Sequence, residues 1–158
     1  MSSVISNYFY GSNPPNYDNG MFCFNNIKNY HYCCFKMNNV NYIVLVGDNG
    51  QVIFSSLKCR YNVDEIISHQ FNNLLTKRNL SKCLSKFEIC LTLLFKIIKN
   101  QNLKFDELLF ICPDRHITNS YKTELFNKNH IKSIESNGYC FHSIINYNHN
   151  ETIYFVKC

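Results

Sequence analysis

The stretch from Tyr30 to Ser56 restricts this chain more than any other, because it divides into three short apolar runs separated by turn residues. Asn38-Asn39 parts the first run from the second, and Gly47-Asp48-Asn49-Gly50 parts the second from the third. Asparagine and glycine reach the positive φ that tight hairpin turns demand. The runs are β-branched and aromatic: Val40, Tyr42, Ile43, Val44, Leu45 and Val46, then Val52, Ile53 and Phe54. Three consecutive antiparallel strands are predicted, and the rest of the chain has to cover them.

Residues 1–29 read as an irregular, Asn/Tyr/Ser-rich arm, in which Met21 to Phe24 are apolar enough to add an edge strand. After the meander comes a polar, basic connection with a helix predicted over 63–76, where Ile66, Ile67, Phe71, Leu74 and Leu75 recur at helical spacing. Ser85-Lys86-Phe87-Glu88 has the form of a capping box and predicts the start of a longer helix. Its apolar face is Phe87, Cys90, Leu91, Leu94, Phe95, Ile97 and Ile98, and Ser85, Glu88, Thr92, Lys96 and Lys99 line the other side. Asn100-Gln101-Asn102 stops it. Leu108 to Cys112 is a continuously apolar run, the signature of a strand covered on both faces. A second helix is predicted over 119–127 and a further strand over 131–134. A closing hairpin pairs 139–145 with 152–156.

Length and charge set outer bounds. At 158 residues the chain makes one domain, long enough to bury roughly two thirds of its unfolded surface. Alanine and tryptophan are absent, and Gly, Arg and Pro together supply eleven residues, the mark of a very AT-rich gene. The formal charge of +5 is uneven: residues 1–27 hold no Lys or Arg, while 58–104 hold nine. That basic block suits an anionic partner. No apolar run reaches the roughly 18 residues of a membrane span, and neither a secretory signal nor an arginine-rich transit peptide opens the chain. Nine cysteines occur without any Cys-x-x-Cys or finger-like Cys/His spacing, so no metal or other cofactor is expected. Most lie in apolar runs and read as buried thiols in a reducing compartment.

The order of three antiparallel strands, then helix, strand, helix and strand, predicts an α/β fold. Its expected form is a ribonuclease H-like mixed sheet with helices packed on it. Nucleases of that layout hold two metal ions between carboxylates of the first strand, the first long helix and the end of the fourth strand. Glu88 and Asp114 stand at the second and third places. The first is empty, since nothing from Tyr30 to Met37 is acidic. No enzymatic activity is expected.

Within the same layout, a series of short motifs resembles a ribosomal protein family. Phe35-Lys-Met-Asn-Asn-Val, followed by Gly47-Asp-Asn-Gly-Gln-Val-Ile-Phe-Ser-Ser, is similar to the opening hairpins of the small-subunit ribosomal protein S-eleven family. Leu103-Lys104 resembles the Gly-Leu-Lys before that family's fourth strand, Cys112-Pro113 its Gly-Pro, and Ile131-Lys-Ser-Ile-Glu its Val-Thr-Ser-Ile-Lys. The resemblance spans about 30–136. It leaves 1–29 as an N-terminal extension, 60–80 as an insertion and 137–158 as a divergent C-terminal hairpin.

The resemblance implies a non-catalytic constituent of the small ribosomal subunit. Such a protein binds ribosomal RNA on the platform near the messenger exit site, beside neighbouring small-subunit proteins and with messenger RNA as a further contact. It needs a rigid core displaying loops that meet phosphates and bases. Asn38, Asn39, Ser55 and Ser56 fall on the family's Asn-Asn and Ser-Ser positions. Lys58, Arg60, Lys77, Arg78, Lys82 and Lys86 replace its glycine-rich basic loop. Arg115 is what remains of the loop after the fourth strand, with Lys122 and His116 as weaker additions. The AT-rich gene points to an organellar copy, in the mitochondrial matrix rather than a plastid. Two readings from other classes stand beside this one: a degenerate ribonuclease H-like nuclease, and a viral or protist protein-interaction domain that borrowed the fold.

Overall fold

The computed structural model describes residues 24–57, 83–112, 115–147 and 150–158. The helix expected over 63–76 lies outside them. The fold is a mixed α/β arrangement built on one seven-stranded sheet with three helices among the described residues. In chain order these are β1 (Phe24–Ile27), β2 (Tyr30–Met37), β3 (Val40–Gly47), β4 (Gln51–Leu57), α1 (Phe87–Asn100), β5 (Glu107–Cys112), α2 (Arg115–Leu125), α3 (Lys128–Ser136), β6 (Tyr139–Tyr147) and β7 (Asn150–Lys157).

The meander forms where the turn chemistry puts it. Asn38 and Asn39 both take left-handed backbone, with φ of 51° and 62°, so β2 and β3 close through a two-residue turn. Met37 faces Val40 across it. On the other side Gly50 sits at φ 85°, donating its N–H to the Gly47 carbonyl at 2.9 Å, and β4 follows in register with β3 from Val46↔Val52 to Asn41↔Leu57. An edge strand forms as β1, later in the chain than the expected Met21 to Phe24 and sharing only Phe24 with it, and pairs antiparallel with β2; residues 21–23 lie outside the described residues.

Alternation along the strands divides the core. Cys33, Phe35, Tyr42, Val44, Val46, Val52, Phe54, Leu108, Phe110, Ile153 and Phe155 form one cluster with Phe87, Leu91, Leu94, Tyr121, Leu125 and Ile134 of the helices. The residues between them, including Tyr32, Cys34, Ile43, Leu45, Ile53 and Leu109, are buried as well. A sheet covered on both faces explains why β3 and β5 are apolar at nearly every position.

The strand order is β1-β2-β3-β4-β5-β7-β6, with β4 and β5 parallel and every other neighbour antiparallel. This differs from the ribonuclease H-like form expected. A metal pair shared by the first and fourth strands of that layout needs them side by side. Here β3 and β4 lie between β2 and β5, which sets those two strands about 14 Å apart at ordinary strand spacing. The fifth and sixth segments also depart from simple addition, because β7 inserts between β5 and β6. Residues 137–158 are thus integral to the sheet.

Three further expectations are corrected. Residues 131–134 are helical, not a strand. Asn127 caps α3 by accepting the Asn129 N–H at 2.9 Å, and His130 and Ile134, four apart, bury one face, so local capping and helical spacing decide the segment. The N-cap of α1 lies one residue beyond Ser85, where the capping box puts it. Cys83 and Leu84 already make a helical turn whose carbonyl at Cys83 takes the Lys86 N–H, and Lys86 becomes the N-cap of α1 with no side-chain cap. Third, the cysteines are not all thiols: Cys140 and Cys158 form a disulfide across the base of the β6–β7 hairpin. Cys33, Cys34, Cys83 and Cys90 are free and buried, as expected.

Two outcomes follow for stability. A Cβ at Gly50 would collide with the backbone carbonyl of Glu107, at a φ that L-residues avoid, so Gly50→Ala is expected to destabilise the fold by about 3 kcal/mol or more in urea titration. An unchanged midpoint would contradict that close approach. Replacing both Cys140 and Cys158 by serine releases a crosslink of sequence separation 18, and a loss of about 3 kcal/mol is expected in the same measurement.

Candidate nucleic-acid interface

Because β4 and β5 run the same way, their carboxyl ends open on one edge of the sheet. In open α/β sheets that edge is where ligands bind, since chain turns, helix starts and loops gather there. Here it receives the Asn38-Asn39 turn, because β3 begins beside the end of β4 with Asn41 opposite Leu57. It also receives the starts of α1 and α2, each following a strand that ends there. The start of β7 arrives alongside, with Glu151 opposite Cys112. The topology therefore brings Asn38, Asn39, Lys86, Arg115 and Lys122 from three separate parts of the sequence to one edge.

Each of these has a local reason for its place. The Asn38 and Asn39 side chains are exposed at the tip of a turn whose positive φ suits asparagine, leaving both amides to solvent. Lys86 is half-buried at the N-cap of α1 and its carbonyl accepts the Cys90 N–H at 3.0 Å. Arg115 opens α2. Two helix N-termini thus share the edge, and their partial positive charge adds to that of the basic side chains. Lys122 pairs with the Glu151 carboxylate. Both partners are part-exposed, so the pair is worth little and is open to exchange for a phosphate.

The serines are placed differently. Ser55 and Ser56 are 0% and 2% exposed, and the Ser55 hydroxyl donates to the Ser56 carbonyl at 3.0 Å. The RNA contacts implied for them are not available from inside the core. Strand alternation in a sheet buried on both faces hides two adjacent hydroxyls. Lys58, Arg60, Lys77, Arg78 and Lys82 lie outside the described residues, between the end of β4 and the start of α1, which both stand at this edge. One basic residue there went unassigned by the sequence: Lys36, opposite Asn41 and two residues before the turn. Its position beside Asn38 was the available signal.

Burial pushes the Cys83 thiol well up, and its hydrogen bond with Cys90 adds to the effect. Burial first, then neighbouring Cys33, does the same to Cys34. Burial also raises the Tyr42 hydroxyl, with smaller contributions from Cys83 and Cys90. These groups stay protonated near neutrality and supply no thiolate. Glu88 is exposed in the first turn of α1. Among the described residues no three His, Cys, Asp or Glu side chains converge in a way that could hold a metal ion.

Turn geometry and ligand contact can be separated at Asn38 and Asn39. Replacing both with glycine keeps positive φ accessible and removes the amides, so folding stability is expected to hold within about 1 kcal/mol while RNA affinity drops severalfold. Unchanged RNA affinity would take the turn out of the interface. No protein-family model, no curated protein and no solved structure matches this chain.

Proposed function

We propose that this chain is a non-catalytic RNA-binding protein that holds folded RNA at the carboxyl edge of its sheet, as a constituent of the small ribosomal subunit. The observation carrying the RNA-binding part is the gathering of Asn38, Asn39, Lys86, Arg115 and Lys122 at that edge, with both ends of the basic 58–82 segment rooted there. Rigid strands deliver exposed amides and cations to one side, which is how a protein recognises RNA through phosphates, riboses and unstacked bases.

The ribosomal part rests on the ordered series of resemblances to the S-eleven family, in which no single motif carries the case. The strand order, the helical 131–134 segment and the buried serines set the chain apart from that family's expected layout. The matched hairpins therefore carry more weight than the later motifs. Partners under this reading are small-subunit ribosomal RNA, neighbouring proteins and messenger RNA near the exit site. Mitochondrial residence is carried by the AT-rich composition, and the Cys140–Cys158 bridge weighs against a strongly reducing matrix. No helix among the described residues is long and apolar enough to cross a membrane.

A protein-interaction role is the second reading. Phe126, Phe141 and Ile144 are exposed at 38%, 45% and 43%, and Phe126 and Phe141 meet edge to face at 5.0 Å beside the outer strand β6. Such a patch suits a protein neighbour, within a ribosome or outside one.

Binding of a small-subunit RNA fragment measured across a salt series tests the proposal. Affinity should fall steeply with salt. Reversing Lys77, Arg78 and Lys82 together should reduce the log–log slope by roughly 0.7–0.9 for each phosphate no longer neutralised. A salt-independent affinity, or a slope untouched by the reversal, would remove the basic segment from the interface.

A further inference from the structure

The opposite end of the molecule carries a cavity that the RNA reading does not use. It has a volume of about 360 Å³, within the range of small-molecule sites, and it lies where the last turn of α1, the approach to β5 and the end of β7 come together. Lys99 of α1, Lys104 before β5 and Lys157 of β7 line it, together with the Asn102 amide. Phe95 and Tyr139 form an aromatic wall, their rings near parallel with centroids 6.3 Å apart.

No carboxylate is among the lining residues. None of the three lysines makes an ion pair among the described residues, where the pairs formed are His31–Asp48, Lys122–Glu151 and His130–Glu124. Three cations facing one concavity repel each other unless an anion joins them. Helix C-termini also attract lysines, and both α1 and α3 end at this place. Their final carbonyls, however, are already occupied: Ile97 and Lys99 accept the N–H groups of Gln101 and Asn102, Ile98 accepts that of Leu103, and Glu135 accepts that of Gly138. Tyr139 donates its hydroxyl to the Phe105 carbonyl at 2.8 Å, which fixes the ring where it lines the cavity. Asp106 does not line the cavity, although its carboxylate is close enough to act on Tyr139, and its backbone carbonyl takes the Lys157 N–H at 2.9 Å.

We propose that this cavity binds a small phosphate ester with a planar apolar body, of the nucleoside monophosphate class. The three lysines would take the phosphate, and the Phe95–Tyr139 wall would take the ring system. The site is separate from the sheet's carboxyl edge, so its occupancy does not depend on RNA binding there.

Calorimetric titration of the full chain with adenosine monophosphate, adenosine and inorganic phosphate tests it, with amide chemical-shift mapping to place the ligand. The nucleotide should bind at least about tenfold tighter than either half alone, with shifts at 99–105, 137–139 and 157. Lys104→Glu and Lys157→Glu, both exposed positions, should each weaken nucleotide binding by about tenfold or more without lowering Tm. Absence of nucleotide binding by the folded protein would overturn the proposal. So would a nucleotide that binds no better than phosphate, or an affinity indifferent to both reversals.

Discussion

The junction between β4 and β5 is the constraint on which the remaining architecture depends. Two antiparallel halves, β1 to β4 and β5 with β7 and β6, become one sheet through a short parallel pairing, Gln51↔Leu109 and Val52↔Phe110. Gly50 begins it, its carbonyl accepting the Leu109 N–H at 2.8 Å while its Cα lies against the Glu107 backbone. Only a residue without a Cβ allows the two chains so close at that φ. Gly50 thus both turns the β3–β4 hairpin and admits the second half of the sheet.

Aromatic packing carries the junction into the core. Phe54 of β4 meets Phe110 of β5 edge to face at 6.1 Å, and Phe110 meets Phe155 of β7 at 5.4 Å. Phe87 at the start of α1 touches Phe54 at 5.4 Å and Tyr121 of α2 at 5.3 Å. One run of rings therefore ties three strands to two helices, and each contact adds to the burial of large apolar area. It also fixes the start of α1, at Phe87, and the second half of α2, at Tyr121. The position of Lys86, next to Phe87, is a consequence of core packing.

Much of this was legible in the residues. Asn38-Asn39 and the Gly47 to Gly50 stretch announced their turns because only certain side chains tolerate positive φ, and the continuous apolar run of β5 announced burial on both faces. The face of α1 was readable from its spacing, although Leu93 joins the buried set because the helix is covered more widely than one stripe. What sequence could not show was decided by partners distant in the chain. The strand order depends on which edge of the meander β5 joins, and nothing local marks that choice. Ser55 and Ser56 look like surface hydroxyls until the second face of the sheet proves to be buried. The Cys140–Cys158 bridge depends on the β6–β7 register, which sets Cys140 opposite Val156 and leaves Cys158 two residues on. At the candidate site, residue types were readable, but their gathering at one edge was a product of topology.

That gathering is the central claim, and photochemical crosslinking of the protein to RNA in its native particle, with the attachment sites read by mass spectrometry, tests it most directly. Crosslinks to small-subunit ribosomal RNA are expected on peptides holding Asn38 and Asn39, the 58–86 segment and Arg115. Crosslinks confined to the opposite end, or a native particle without RNA, would contradict it.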